Sequence, residues 1–208
     1  MNGELETPSG VSRDARAELD ALLNELLEHP HRREEIERRI EDLFACECAV
    51  MVLDLSGFSR ATNERGIVAS LLMTHQMRHL TVPIIEQSGG EVIEATADDL
   101  LCVFGGVPEA VASGREVIRA LDTANVLLAS DLELYVSIGI GWGRILRIGN
   151  DRVAGAPVNL AGKLGEDVAA SREILLTAEA RAMLGDAALE ERRTAVSGME
   201  LSYYALPN

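Results

Sequence analysis

Lysine is nearly absent from this sequence. Of its 19 basic residues only Lys163 is a lysine, and 34 acidic residues give the chain a net charge of −15. Because that charge repels phosphate groups, we expect neither a nucleic-acid partner nor an anionic membrane surface. An anionic ligand would therefore need a local group of positive charges.

Long hydrophobic runs are also missing. No stretch of about 18 apolar residues is present, and the N-terminal sequence "MNGELETPSGVSRDAR" lacks the basic start and apolar core of a signal peptide. We therefore expect neither a membrane-spanning helix nor a secretion signal, and we expect a cytoplasmic protein.

Cysteine is scarce and odd in number. Cys46, Cys48 and Cys102 lie in apolar, strand-like segments, which is more typical of buried reduced thiols than of a disulfide framework. The "CEC" pair lacks a second Cys/His pair at zinc spacing, and His75 and His79, one helical turn apart, lack a third ligand. We therefore expect no zinc site.

The chain of 208 residues, 47% of them hydrophobic, can bury one main core with an appended helical segment. Residues 1–12 are polar and are expected to be disordered. Residues 13–45 contain two helical patterns with narrow apolar stripes, typical of a helix–helix seam. These helices either pack on their own domain or form a dimer. We favour the dimer. The same helices would also offer a binding surface to a regulatory protein.

The remaining segments predict a domain over residues 46–208. The order of strand, helices, hairpin, helix and strand indicates an α+β sandwich with helices on one face of a mainly antiparallel sheet. The segment "GEVIEATADDLLCVF" predicts two strands around a turn at residues 97–99. In "VSIGIGWGRIL", the glycines at 139, 141 and 143 predict the close approach of another backbone or a ligand. "SYYAL" is the final strand that we expect.

Two aspartates lie where this domain can bind a cation. Asp54 follows a hydrophobic strand and Asp98 lies at the hairpin tip, and two converging carboxylates suit Mg²⁺ or Mn²⁺ better than zinc. Next to Asp54, the Ser56–Gly57–Phe58 turn could present backbone amides to a phosphate. From spacing alone, a helix cap at Asp54 and a turn role for Asp98 is the simpler interpretation.

The order of the motifs favours the functional interpretation, because it resembles the catalytic domain of class III adenylyl and guanylyl cyclases over about residues 46–206. "VLDLSGFSRAT" looks like the first metal segment and "GGEVIEATADDLLCVF" like the second metal hairpin. "VSIGIGWGRIL" and "GAPVNLAGKL" look like the glycine-rich strand and the segment with the ribose and transition-state residues. The resemblance implies the ferredoxin-like α/β sandwich of these cyclases, preceded here by the N-terminal helices.

The resemblance also implies a site and a reaction. Asp54, Asp98 and the carbonyl of Leu55 would hold two Mg²⁺ or Mn²⁺ ions, Asn159 would orient the ribose, and Lys163 stands where the family usually has an arginine. A nucleoside triphosphate would become a 3′,5′-cyclic nucleotide and pyrophosphate, for intracellular signalling. In this family one chain holds the metals and the other the ribose, so the resemblance implies a head-to-tail homodimer.

Base selection rests on two positions in this resemblance. Glu94 stands where adenylyl cyclases usually have lysine and guanylyl cyclases glutamate, and a carboxylate can accept two hydrogen bonds from guanine. Arg152, at the companion position, could meet the guanine O6 or could pair with Glu94. GTP is therefore slightly favoured, with ATP or a pyrimidine nucleotide still open.

Several positions depart from the family pattern. Lys163 keeps a positive charge but lacks the planar fork of arginine. Ala97 replaces a common glycine, Asp99 adds a negative charge beside Asp98, and Ser197 and Met199 occupy the region of a triphosphate-binding lysine. These departures leave a second interpretation open, in which a cyclase-like dimer binds a nucleotide but turns it over negligibly.

Overall fold

The computed structural model describes residues 9–129, 132–185, 189–196 and 199–207. The helices are α1 (Ser9–Glu28), α2 (Arg33–Phe44), α3 (Phe58–Arg65), α4 (Ile67–Gln87), α5 (Val107–Asn125), α6 (Ala156–Gly162) and α7 (Ala178–Ala182). The strands are β1 (Ala45–Leu55), β2 (Glu91–Thr96), β3 (Asp99–Phe104), β4 (Val136–Ile148), β5 (Arg152–Ala154), β6 (Ile174–Thr177), β7 (Glu190–Val196) and β8 (Met199–Ala205). A 3₁₀ turn (Pro30–Arg32) joins α1 to α2, and a π-helical turn (Lys163–Val168) continues α6.

All eight strands belong to one sheet. Their order is β2-β3-β1-β4-β6-β8-β7, and β5 pairs with β4 beside this path. The β4–β6 pair is parallel and the other pairs are antiparallel. The predicted α+β fold with a mainly antiparallel sheet is therefore confirmed.

The side chains of the central strand β1 point alternately to the main core and to the opposite face of the sheet. Met51, Leu53 and Leu55 are buried against the apolar sides of α4 and α5 in the main core. Val50 and Val52 alternate with them and pack in a second cluster that includes Ala161 of α6. Since side chains alternate along a strand, Asp54 belongs to the α6 face.

The glycines of β4 allow α6 to lie directly against the sheet. A methyl group on Gly139 would come within 2.1 Å of the Ala161 carbonyl oxygen, and one on Gly141 within 2.6 Å of the Pro157 carbonyl oxygen. A methyl group on Gly165, in the π-helical turn, would likewise come within 2.9 Å of the Val52 carbonyl oxygen. The predicted close approach is confirmed, and the approaching group is backbone.

The N-terminal helices pack on each other and on the end of β4. Their cluster buries Leu22, Ile36, Ile40 and Phe44 together with Ile148. Ion pairs add to the attachment, with Arg16 reaching Asp151 at 2.7 Å and Arg144 reaching Glu41 at 3.1 Å. The N-terminal helices therefore pack on their own domain. Dimer formation through these helices stays a prediction, for which the 80% exposed Leu27 offers a contact.

Several boundaries differ from the sequence-based expectation. Helix α1 begins at Ser9, so residues 9–12 are helical where disorder was expected, and residues 1–8 lie outside the described residues. The single helical stretch expected after Gly57 is two helices separated at Gly66, where φ is +83°. Pro83 lies inside α4 without ending it.

Two further differences concern single features. Strand β7 was not predicted, because its first half, "EERR", is charged rather than apolar. Cys46 is exposed, whereas Cys48 and Cys102 are buried, and none of the three forms a disulfide.

None of the described helices combines the length and apolar character needed to cross a membrane.

We predict that Gly139→Ala lowers the free energy of unfolding by about 1–3 kcal/mol or more, because the new methyl group overlaps the α6 backbone. Chemical denaturation measures this change. Gly105→Ala is the matched control, because a methyl group there has no neighbour within 4 Å, and it should change stability by less than about 0.5 kcal/mol. Equal effects of the two substitutions would contradict the role assigned to the contact.

Candidate active site

A cleft of about 520 Å³ opens on the α6 face of the sheet. One wall comes from β1 and the β2–β3 hairpin, the other from α6 and its π-helical continuation. Its lining consists of Val52, Glu94, Thr96, Asp99, Leu101, Val158, Asn159, Gly162, Lys163 and Glu166. The structure therefore brings three residues selected from the sequence, Glu94, Asn159 and Lys163, to one cleft.

An acidic cluster lies at the end of this cleft. Asp54 pairs directly with Asp99 across the β1–β3 ladder, and Asp98 precedes Asp99 in the hairpin turn. Carboxylate oxygens of all three lie within 4.8 Å of one another. The Ser137 hydroxyl donates a long hydrogen bond of 3.5 Å to Asp54 Oδ2. The structure thus brings together the two predicted aspartates and adds Asp99.

The hairpin tip that carries Asp98 is held from two sides. Arg78 of α4 donates from Nη2 to the Ala97 carbonyl oxygen at 2.6 Å, and the Leu55 amide donates to the Asp98 carbonyl oxygen at 3.2 Å. Ala97 has a φ of +45°, a left-handed conformation that costs a non-glycine residue about 1–3 kcal/mol. No local sequence pattern points to Arg78, because it lies on a helix well before the turn that it holds.

The charges of the cluster oppose one another. Burial, followed by the neighbouring Asp99 and Asp98, raises the pKa of Asp54 from its ordinary 3.8 to about 7. Burial and Asp98 also raise the pKa of Asp99, and burial and Asp99 raise that of Glu166. Hard oxygen ligands with unbalanced negative charge fit Mg²⁺ or Mn²⁺, so the residues present suit the cation that the fold implies.

The turn after β1 fits the phosphate-binding prediction in part. Gly57 has a φ of +83° and caps α3, whose first residue is Phe58. The Ser56 amide donates to the Tyr135 carbonyl oxygen at 2.8 Å, which corrects the expectation that this amide faces a phosphate. Gly57 and Phe58 remain the candidates, since amides at a helix start attract anions.

The two residues predicted to read the base, Glu94 and Arg152, do not form an ion pair with each other. Glu94 on β2 accepts a hydrogen bond from the Thr96 hydroxyl at 2.7 Å. Arg152 lies exposed on β5, and in the described part of the chain no ion pair joins it to Glu94. The pairing considered from the sequence is therefore not formed, and both side chains are open to a ligand.

Asn159 lies in the middle of α6, and Lys163, four residues later, is the first residue of the π-helical turn. Asn159 is exposed and Lys163 is partly buried. Among the described residues Lys163 forms no ion pair, so the alternative of pairing with Glu166 or Asp167 is not observed. Ser197 lies outside the described residues, as does the side chain of Met199.

Other candidate metal ligands do not converge. The rings of His75 and His79 stack with their centroids 6.5 Å apart. Within the described ranges, the aspartate cluster is the one group of three acidic, histidine or cysteine side chains close enough to share an ion.

Comparison with known proteins supports the fold. No protein-family model matches the chain. A putative adenylate cyclase 3 of Rhizobium meliloti (strain 1021) is 25% identical over 132 residues, which are 64% of this chain and 21% of the relative. The chain thus spans about a fifth of the length of that curated relative.

Two solved structures are similar over most of the chain. The guanylyl cyclase Cya2 has a TM-score of 0.67 at 20% identity, covering 77% of this chain and 91% of that one. An adenylate/guanylate cyclase/hydrolase from Silicibacter pomeroyi has a TM-score of 0.66 at 20% identity, covering 79% and 98%. The chain therefore has the fold of nucleotidyl cyclase catalytic domains, as its motif order predicted.

We predict that the cation-free protein loses stability as the pH rises from about 4 to about 7. In that window the folded protein keeps a proton on Asp54, whose pKa is raised to about 7, while the unfolded chain has released it. Raising the pH therefore favours unfolding. Melting temperatures measured between pH 4 and 8 with a chelator present test this.

Asp54→Asn serves as the control for this pH dependence, because it removes the group whose pKa is raised to about 7 and should make the decline shallower. A wild-type melting temperature that increases steadily over the same interval would contradict the prediction.

Proposed function

We propose that this chain is the catalytic domain of a metal-dependent nucleotidyl cyclase, which converts a nucleoside triphosphate to a 3′,5′-cyclic nucleotide and pyrophosphate. One observation carries the proposal: the cluster of Asp54, Asp98 and Asp99 opens beside the cleft that contains Asn159 and Lys163. The cyclase fold places this cluster on a sheet face that the large helices α4 and α5 leave uncovered.

Each residue would have a distinct task. Asp54, Asp98 and the Leu55 carbonyl would hold the cations, which when bound supply charge neutralisation of the triphosphate and acidify the attacking 3′-hydroxyl. Asn159 would orient the ribose so that this hydroxyl faces the α-phosphorus. Lys163 would place its ammonium group against the negative charge that develops on the transferring phosphate.

The amides of Gly57 and Phe58 would bind a phosphate oxygen at the start of α3. Glu94 would read the base, because its carboxylate can accept from both the N1–H and the 2-amino group of guanine. The Thr96 hydroxyl orients this carboxylate. Arg152 has donors for the guanine O6. These contacts favour GTP over ATP.

We propose a head-to-tail homodimer as the active form. In this arrangement Asp54 and Asp98 of one protomer would face Asn159 and Lys163 of its partner, which gives two equivalent sites related by a two-fold axis. The open cleft on the α6 face supports it, because a second chain could cover this face. Within one chain both sets of residues line the same side of the sheet, so a site built from a single chain is the competing arrangement.

A catalytically weak, nucleotide-binding dimer is the second candidate function. Lys163 favours it, because an ammonium group lacks the planar fork with which arginine holds two phosphate oxygens at once. The N-terminal helices would then pass the bound state on to another protein.

We predict that the purified protein with Mn²⁺ forms cyclic product from GTP, and that Asp54→Ala reduces the rate to below about one hundredth of wild type. Mass spectrometry of reactions with ATP, GTP, CTP and UTP measures both product and pyrophosphate. Asp42→Ala, at an exposed position on α2, is the matched control and should leave the rate unchanged.

Nucleotide binding without product from any of the four would refute the catalytic proposal and leave the binding module. Neither binding nor product would refute both candidate functions.

We predict that Asp54→Ala and Asn159→Ala are each inactive alone but regain about a quarter of wild-type activity when mixed in equal amounts. Random exchange makes about half of the dimers mixed, and each mixed dimer has one intact site of two. The rate of cyclic product formation after subunit exchange measures this. A mixture that stays inactive, although mass spectrometry detects mixed dimers, would favour a site within one chain.

A further inference from the structure

Asp99 occupies a position in the acidic cluster that the resemblance does not assign. It pairs with Asp54 in the β1–β3 register, and directly opposed residues on neighbouring strands project from the same face of a sheet. Both side chains therefore project toward the α6 face, where Asp99 lines the cleft. Asp98, in the adjoining turn, completes a group whose oxygens lie within 4.8 Å of one another.

An unpartnered atom in Asp99 points to a ligand. Its Oδ1 is buried and accepts no hydrogen bond from the described residues. Buried polar atoms almost always have a partner, and those without one require an explanation such as an ion. Asp54 differs, because its Oδ2 accepts the hydrogen bond of Ser137.

No ion pair within the described part of the chain balances the charge of this group. Among the described residues, none of the ion pairs includes Asp54, Asp98 or Asp99. Arg78, which reaches the hairpin tip, donates to the Ala97 carbonyl oxygen. Three carboxylates within 4.8 Å of one another repel one another when charged, and a bound cation would offset that repulsion.

We propose that Asp99 is a third carboxylate ligand of the divalent-cation site, so that this chain binds its cation with three aspartates rather than two. This inference rests on the proposed function, whose cation site it deepens. The third carboxylate should raise cation affinity, because affinity for hard cations follows the charge and number of the ligands. It should also favour Mn²⁺ and Ca²⁺ over Mg²⁺, which usually binds through one or two carboxylates.

The test is direct cation binding by the full chain without nucleotide. Mn²⁺ titration followed by electron paramagnetic resonance gives the dissociation constant, and Tb³⁺ luminescence lifetimes in H₂O and D₂O give the number of coordinated waters. For Asp99→Asn we expect Mn²⁺ binding to weaken about tenfold or more, with about one additional water on Tb³⁺. Asp99→Gly, which removes the carboxylate altogether, should behave in the same way.

Glu166→Gln is the matched control for charge without ligation. Glu166 lines the same cleft but is outside the group of three. Its substitution should weaken Mn²⁺ binding less than about threefold and leave the water count unchanged. Melting temperatures without cation confirm folding, and Asp99→Asn should be at least as stable as wild type, because it relieves repulsion.

The outcomes separate this inference from the proposed function. If Asp99→Asn and Asp99→Gly bind Mn²⁺ like wild type with an unchanged water count, while Asp54→Ala abolishes binding, Asp99 is not a ligand and the cation site stands. If Glu166→Gln weakens binding as much as Asp99→Asn, the effect is one of general charge and ligation is refuted. If Asp54→Ala binds like wild type, the cation site itself is wrong.

Discussion

The backbone contact between β4 and α6 is the constraint on which the cleft depends. Gly139 and Gly141 present no side chains, so the carbonyl groups of Ala161 and Pro157 reach the surface of the sheet. Gly165 rests in the same way on the carbonyl group of Val52, two residues before Asp54 on β1. The segment that carries Asn159 and Lys163 is thereby fixed to the strand that carries Asp54, and the width of the cleft follows from glycine rather than from adjustable side chains.

The π-helical turn is part of the same constraint. An α-helix continued through Lys163–Val168 would have to keep its regular spacing, whereas the wider turn observed there lets Gly165 contact β1 and β4 while Glu166 lines the cleft. Such turns are frequent at functional sites, because they place one side chain out of regular helical register. Here the result is an acidic residue on the same wall as Lys163.

Local sequence was sufficient for the features that depend on local chemistry. Asp54 after an apolar strand, the turn before Asp99 and the glycines of β4 could all be read from neighbouring residues. Features that depend on pairing between distant segments could not. Arg78 reaches Ala97 from another element, the Ser56 amide is taken by Tyr135, and the side of the sheet on which Asp99 lies follows from its register with Asp54.

The single lysine can be understood from the charges around it. Several arginines elsewhere in the described chain are engaged with carboxylates, as Arg172 is with Asp122 at 2.6 Å and Arg192 with Glu190 at 2.8 Å. A planar guanidinium matches a carboxylate with two parallel hydrogen bonds, and the cleft offers Glu94, Asp99 and Glu166 as such partners. An arginine at position 163 would be drawn into one of these pairs. The compact, strongly hydrated ammonium group of lysine has less to gain from them, and Lys163 is unpaired among the described residues. Lys163 therefore keeps its positive charge in the same cleft as Asp99, which is the local exception that an anionic ligand needs in a protein of net charge −15.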